Sequence, residues 1–178
     1  RDRAAAAAGE AVAAARAAKD VRLVLLARLQ DAAAKGHAAD LEEIAAEAER
    51  SGLKPVAAAA QLALARVLLG ARRPGDALGP AEKAAGLAEA LRQRDVAFQA
   101  RTVAAEALSK SGRPDRAAET CLAALASLEQ IRKGLDAVRT KNFLERPETT
   151  AFAALAGDLF SRNGRSADAA RLRDALRI

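Results

Sequence analysis

The sequence predicts an all-α protein, and three features support that prediction. Alanine and leucine, both strong helix formers, fill 52 and 23 of the 178 positions. The β-branched residues Val, Ile and Thr together number only 16, too few for a sizeable sheet. Apolar residues recur three and four positions apart, as in Leu25, Leu29 and Ala32, which is the spacing of one helix face. At 18.4 kDa, residues 1–178 are expected to form a single domain.

Four short segments interrupt this helical pattern at points where one helix ends and another begins. Gly36, Gly112 and Gly164 are suited to the left-handed backbone conformation that often ends a helix. Pro74 and Pro114 fit the first turn of the next helix, where a missing N–H is tolerated. The four segments are residues 35–41, 72–77, 111–117 and 163–169.

The pattern therefore predicts about four helical hairpins that follow one another along the chain. An additional helix over 3–18 precedes them, and Val12 is its largest side chain. The predicted hairpins span about 20–51, 55–93, 95–139 and 148–177, and the second helix of the third hairpin is expected to cover 114–139.

Small residues recur where the second helix of each hairpin would approach its neighbours. The four sets are Leu41, Ala45, Ala48; Ala77, Ala81, Ala84; Ala117, Cys121, Ala124; and Ala169, Arg173, Leu176. This pattern resembles the tetratricopeptide repeat family, and Arg173 indicates a solvent-facing cap in the last unit. The first residues of the sets are 36, 40 and 52 positions apart, whereas the family repeats every 34, so the chain is most similar to irregular bacterial arrays. The resemblance implies a right-handed α-α superhelix that acts as a non-catalytic protein-interaction scaffold.

By the same resemblance, the first helices of the hairpins would line a concave groove that binds a protein or peptide segment. Arg66, Lys110 and Arg162 would form a spaced row of positive charges, interrupted by Glu106 and Asp158. That mixture favours a peptide of mixed charge over a uniform polyanion. The predicted partner-binding residues are Leu62, Arg66, Leu69, Gln99, Thr102, Glu106, Lys110, Asp158 and Arg162, with the leucines as the apolar anchor.

No residue pattern predicts an enzyme, and no catalytic, cofactor-binding or metal-ligating residues are assigned. His37 is the one histidine and stands at a predicted turn without a second ligand nearby in the sequence. Cys121 occupies a small-residue position of the third hairpin, so we expect a buried structural thiol and not a nucleophile.

Two alternatives to the groove stay open. The alanine-rich helix 3–18 could stack on the arginine-rich last helix of another copy, which would produce a homo-oligomer or filament. The basic connection from Arg132 to Arg146 could bind an anionic partner, although nucleic acid is disfavoured because only Phe143 could stack on a base there.

The cellular location is predicted only loosely. The longest apolar stretches, such as residues 56–60, fall far short of the roughly 20 residues that cross a bilayer, so we expect no membrane insertion. Because the sequence starts with Arg1, we expect it to derive from a longer chain. A cytoplasmic location is favoured, and a secreted or periplasmic one stays open.

Overall fold

A computed structural model describes residues 20–177, which form helices joined by short turns and contain no β-strand. The predicted helix 3–18 lies outside the described residues. The helices are α1 (Val21–Lys35), α2 (Ala38–Arg50), α3 (Lys54–Gly70), α4 (Pro74–Ala90), α5 (Arg94–Lys110), α6 (Pro114–Lys133), α7 (Ala137–Leu144), α8 (Pro147–Arg162) and α9 (Ser166–Ala175).

Six of the connections use the same three-residue turn. The middle residue has a left-handed backbone, and the residue after it donates its N–H to a carbonyl five positions earlier; His37 N–H, for example, lies 3.0 Å from the Ala32 carbonyl. This bond satisfies a carbonyl that the helix end would otherwise leave free. The predicted left-handed glycines and helix-starting prolines are confirmed. The left-handed residues are Gly36, Gly52, Arg72, Arg92, Gly112 and Gly164.

The predicted small-residue contacts are confirmed in the first three hairpins. Every member of those three sets, from Leu41 to Ala124, is at most 1% exposed. The register predicted for the fourth hairpin is wrong, because Arg173 is exposed and the buried residues are Leu172 and Ala175. Among the described helices, α9 packs mainly on α8 and on one side of α6, so one apolar face suffices and Arg173 keeps its charge in water.

The order of packing gives the helical array its curvature. Each helix packs against the next in sequence, and the first helices α1, α3, α5 and α8 also contact one another in that order. The second helices α2, α4 and α6 make few or no close backbone contacts with one another. The face formed by α1, α3, α5 and α8 is therefore the concave one.

The third hairpin differs from the sequence prediction at its end. Helix α6 stops at Lys133 and does not continue to 139, because Gly134 ends it and Asp136 starts a separate short helix. The Asp136 carboxylate accepts a hydrogen bond of 2.8 Å from the backbone N–H of Arg139, which caps α7. The chain thus inserts an additional helix between the third and fourth hairpins.

Two apolar clusters form the core. The first extends from α1 to α5 and contains alanine, leucine, isoleucine and valine but no aromatic residue. The second extends from α5 to α9 and contains Phe98, Phe143, Phe152 and Phe160. Helix α5 contributes to both clusters, so it joins an aliphatic region to an aromatic one.

Candidate functional site

An open groove crosses the concave face where the two core clusters meet. It has a volume of about 290 Å³ and lies between α3, α5 and the first turns of α8. This first-helix groove is lined by Arg66, Leu69, Gly70, Gln99, Thr102, Val103, Glu106, Lys110, Glu148 and Ala151.

The charges of the first-helix groove balance, since two basic and two acidic side chains line it. Lys110 and Glu106 form an ion pair of 2.7 Å one helical turn apart on α5. Arg66 instead donates a 2.8 Å hydrogen bond to the amide oxygen of Gln99, which links α3 to α5. No carboxylate within residues 20–177 forms an ion pair with Arg66. Its positive charge is therefore available to a ligand.

Six of the nine predicted partner-binding residues line this groove, and three do not. Leu62 is only 6% exposed and belongs to the aliphatic core. Asp158 and Arg162 pair with each other at 2.8 Å on the outer turns of α8. The predicted row of three positive charges is thus divided, because only Arg66 and Lys110 lie in the groove. Sequence reasoning missed Gly70, Val103, Glu148 and Ala151.

Aromatic packing explains why the groove opens between α5 and α8. The ring of Phe98 on α5 meets that of Phe152 on α8 edge to face, with centroids 5.1 Å apart. Phe143 of α7 packs on the same Phe98 ring at 5.9 Å. Around α3 and α5 the core consists largely of alanine, and there the two backbones approach more closely than those of α5 and α8. Large rings therefore hold α8 away from α5.

A second depression lies on the convex side, in the space between α4 and α6, with α5 as its floor. It has a volume of about 450 Å³. The guanidinium of Arg101 crosses it, donating to the Glu89 carboxylate of α4, to the Ser127 hydroxyl and to the Ala123 carbonyl of α6. This α4–α6 crease is lined by Ala88, Glu89, Arg92, Arg94, Ala97, Arg101, Ala123, Ala126, Ser127 and Gln130.

Comparison with solved structures identifies the architecture. The chain matches a crystal structure of "kinesin light chain nearly identical TPR-like repeats" from Podosopora anserina with a TM-score of 0.64. The two share 18% sequence identity over 98% of this chain and 84% of the other. The fold is a tetratricopeptide-like helical solenoid. No protein-family model and no curated protein matches the sequence.

The candidate nucleophile and base lie apart from both surfaces of the solenoid. Cys121 is fully buried on α6, as predicted, and burial raises the pKa of its thiol to about 12. His37 lies exposed at the turn before α2, with its Nδ1 3.1 Å from a carboxylate oxygen of Asp40. In the described part of the solenoid, no group of three or more His, Cys, Asp or Glu residues is placed to hold a metal ion.

The basic connection is tied into the fold by its own charges. Arg132 donates to two backbone carbonyls at the end of α9, at 2.9 and 2.7 Å, and so fastens the last hairpin to α6. Arg146 lies 3.5 Å from Asp95 and stacks over the Phe143 ring at 5.0 Å. Arg139 and Lys141 have acidic partners one turn away, Asp136 and Glu145. These intramolecular contacts leave a polyanion little unpaired charge.

The solenoid helices were also compared with the dimensions of a bilayer. Across residues 20–177, none of them combines the length and the apolar character needed to span it.

Proposed function

We propose that this solenoid is a non-catalytic interaction scaffold that binds an extended protein segment in the first-helix groove. The observation that carries the proposal is the convergence of three first helices on one open, polar-lined surface. Side chains from α3, α5 and α8 offer both donors and acceptors there, as a peptide backbone and mixed side chains require. The tetratricopeptide-like fold supports the proposal at the level of architecture.

The chemistry of the groove favours binding over catalysis. The thiol of Cys121 is enclosed in the core, and His37 lies at a turn in the first hairpin. Neither reaches the groove, so its ionisable lining consists of Arg66, Glu106, Lys110 and Glu148. These side chains form a surface for charge recognition without a nucleophile beside a base.

The lining also specifies the character of the bound segment. Leu69 and Val103 are buried to within 9% and 8% exposure at the floor, which gives an apolar residue of the segment a contact surface. Arg66 offers its charge to a carboxylate of the segment. Exposed charge contacts contribute only about 0.2 to 1 kcal/mol each, so they set orientation and association rate more than affinity.

The proposal is tested by selecting random twelve-residue peptides against the chain and measuring their association rates. Reversing two groove charges, Arg66→Glu with Lys110→Glu, should slow association at least tenfold, because the carboxylate contacts become repulsive. Added salt should slow association with the unmodified chain in the same way. Arg116→Glu is the control, since Arg116 is exposed on α6 and lines neither depression.

Equal association rates for the double variant, the control and the unmodified chain would contradict the proposal. A partner would then bind elsewhere on the solenoid.

A second candidate function is end-to-end self-assembly. Val21 and Leu23 at the start of α1 are 51% and 47% exposed, so this end of the described solenoid presents apolar side chains. Light scattering at rising concentration should then show growing particles, and Leu23→Lys should reduce that growth because it places a charge in the contact. A constant monomer mass at every concentration would end this candidate.

A further inference from the structure

The α4–α6 crease carries a net positive charge, unlike the first-helix groove. Its lining includes three guanidinium groups, from Arg92, Arg94 and Arg101, and one carboxylate, from Glu89. Asp95 is next to Arg94 in sequence but points to the opposite side, where it pairs with Arg146. The crease therefore complements an anionic ligand.

The three arginines have different roles. Arg101 is held by Glu89, Ser127 and the Ala123 carbonyl, so it braces α4 against α6 and its charge is balanced. Arg94 reaches only the Gln130 carbonyl, at a long 3.5 Å. Arg92 is exposed and has no ion-pair or hydrogen-bond partner for its side chain among residues 20–177. Two guanidiniums at one rim are thus free to bind.

Arg92 holds its position against a backbone preference. Its φ of 56° lies in the left-handed region, which four of the other five equivalent turns fill with glycine. Arg72 is the other exception, with a φ of 59°, but it lies outside the crease. These two arginines share a strained turn and differ in whether the side chain borders the crease, which makes them a matched pair.

The preceding interval of the solenoid lacks this charge pattern. Helices α3 and α5 begin at Lys54 and Arg94, 40 residues apart, and α4 and α6 begin at Pro74 and Pro114, also 40 apart. At that spacing Gly52, Gln61 and Leu87 are the counterparts of Arg92, Arg101 and Ser127. The interval between α2 and α4 therefore has no arginine brace and only Lys54 as a counterpart of the free pair.

We infer that the α4–α6 crease is a second binding site, for an acidic, extended peptide segment. Arg92 and Arg94 receive two of its carboxylates, and a guanidinium can hold a carboxylate by two parallel hydrogen bonds. Ala88, Ala97, Ala123 and Ala126 give the crease small side chains, so a peptide backbone can lie close to α5. The lining contains no aromatic ring on which a base could stack, which favours peptide over single-stranded nucleic acid.

The test uses fluorescence anisotropy of the whole chain with a labelled ten-residue peptide of alternating aspartate and alanine. Arg92→Gly should weaken binding at least tenfold, because it removes one of the two free guanidiniums, and Arg94→Gln should do the same. Arg72→Gly is the matched control: it relieves the same backbone strain and should leave affinity unchanged within twofold. The groove variant Arg66→Glu should also leave it unchanged, which separates this site from the proposed function.

Circular dichroism and melting temperature show whether each variant is folded, and both arginine-to-glycine variants are expected to melt no lower than the unmodified chain. Equal loss of binding in Arg72→Gly and Arg92→Gly would overturn the inference. So would equal affinity for a lysine–alanine peptide, or tighter binding of a single-stranded oligonucleotide that survives Arg92→Gly.

Discussion

The two halves of the solenoid solve the same packing problem with different side chains. From α1 to α5, helices meet through alanine and aliphatic residues, and successive first helices lie close together. From α5 to α9, four phenylalanines and the additional helix α7 occupy the interfaces. The regular half repeats at 40 residues between α3 and α5, and the aromatic half breaks that period.

This difference teaches where a binding surface can arise in a helical solenoid. Alanine contacts close the gap between neighbouring first helices and leave a continuous wall. The Phe98–Phe152 contact holds α8 away from α5, and the first-helix groove opens at that junction. The irregular insertion is therefore the source of the groove.

The largest expected effect comes from removing a ring from the aromatic half. Phe152 is fully buried, so Phe152→Ala should lower the free energy of unfolding by about 3–5 kcal/mol, measured by urea denaturation. Phe152→Leu, which keeps most of the volume, should cost much less. If both substitutions cost less than about 1 kcal/mol, the rings do not hold the aromatic half together.

A smaller effect is expected from adding volume at the alanine contacts. Ala77 and Ala117 are equivalent positions 40 residues apart, both 0% exposed. Leucine at either should cost about 1–3 kcal/mol in thermal or urea unfolding, because the close helix contact cannot widen freely. The exposed Ala90 on α4 provides the control, where leucine should change stability by less than about 0.5 kcal/mol. A large cost at Ala77 alone would mean that small-residue packing matters only in the regular half.

The smallest effect concerns the ion pair that joins α6 to α9. Hydrogen bonds from Arg171 hold the pKa of the Glu129 carboxyl below its usual range. A lowered folded-state pKa stabilises the protein above the unfolded pKa, about 4.3, and that contribution disappears as the pH falls through the folded value. Since Arg171 is about half exposed, the pair should contribute no more than about 1 kcal/mol.

The measurement compares unfolding free energies of the unmodified chain and Arg171→Gln from neutral to acid pH. Their difference should shrink as the pH drops below the usual range of glutamate. A difference that stays constant into acid would show that the ion pair contributes nothing to holding α9.

The regular features could be predicted from sequence because they depend on local chemistry. Gly36, Gly112 and Gly164 mark left-handed turns, and the alanines of α4 and α6 mark close contacts wherever a helix is flanked on both sides. At α9 the same register fails, because that helix needs one buried face and Leu172 supplies it.

The candidate surfaces were predictable only where the repeat continues. Arg66, Gln99 and Lys110 follow from the positions of α3 and α5. Glu148 depends on where the α7 insertion places α8, which no periodicity encodes. The α4–α6 crease depends on the distance between two second helices, which is set by the curvature of the whole solenoid.

The central claim, that the first-helix groove is the binding surface, is tested most directly by mapping the site of a selected peptide on the isotope-labelled chain by nuclear magnetic resonance. The account predicts amide shift changes at residues 66–70, 99–110 and 148–151 on saturation with peptide. Shift changes confined to the ends of the solenoid or to its convex side, with those three segments unaffected, would contradict it.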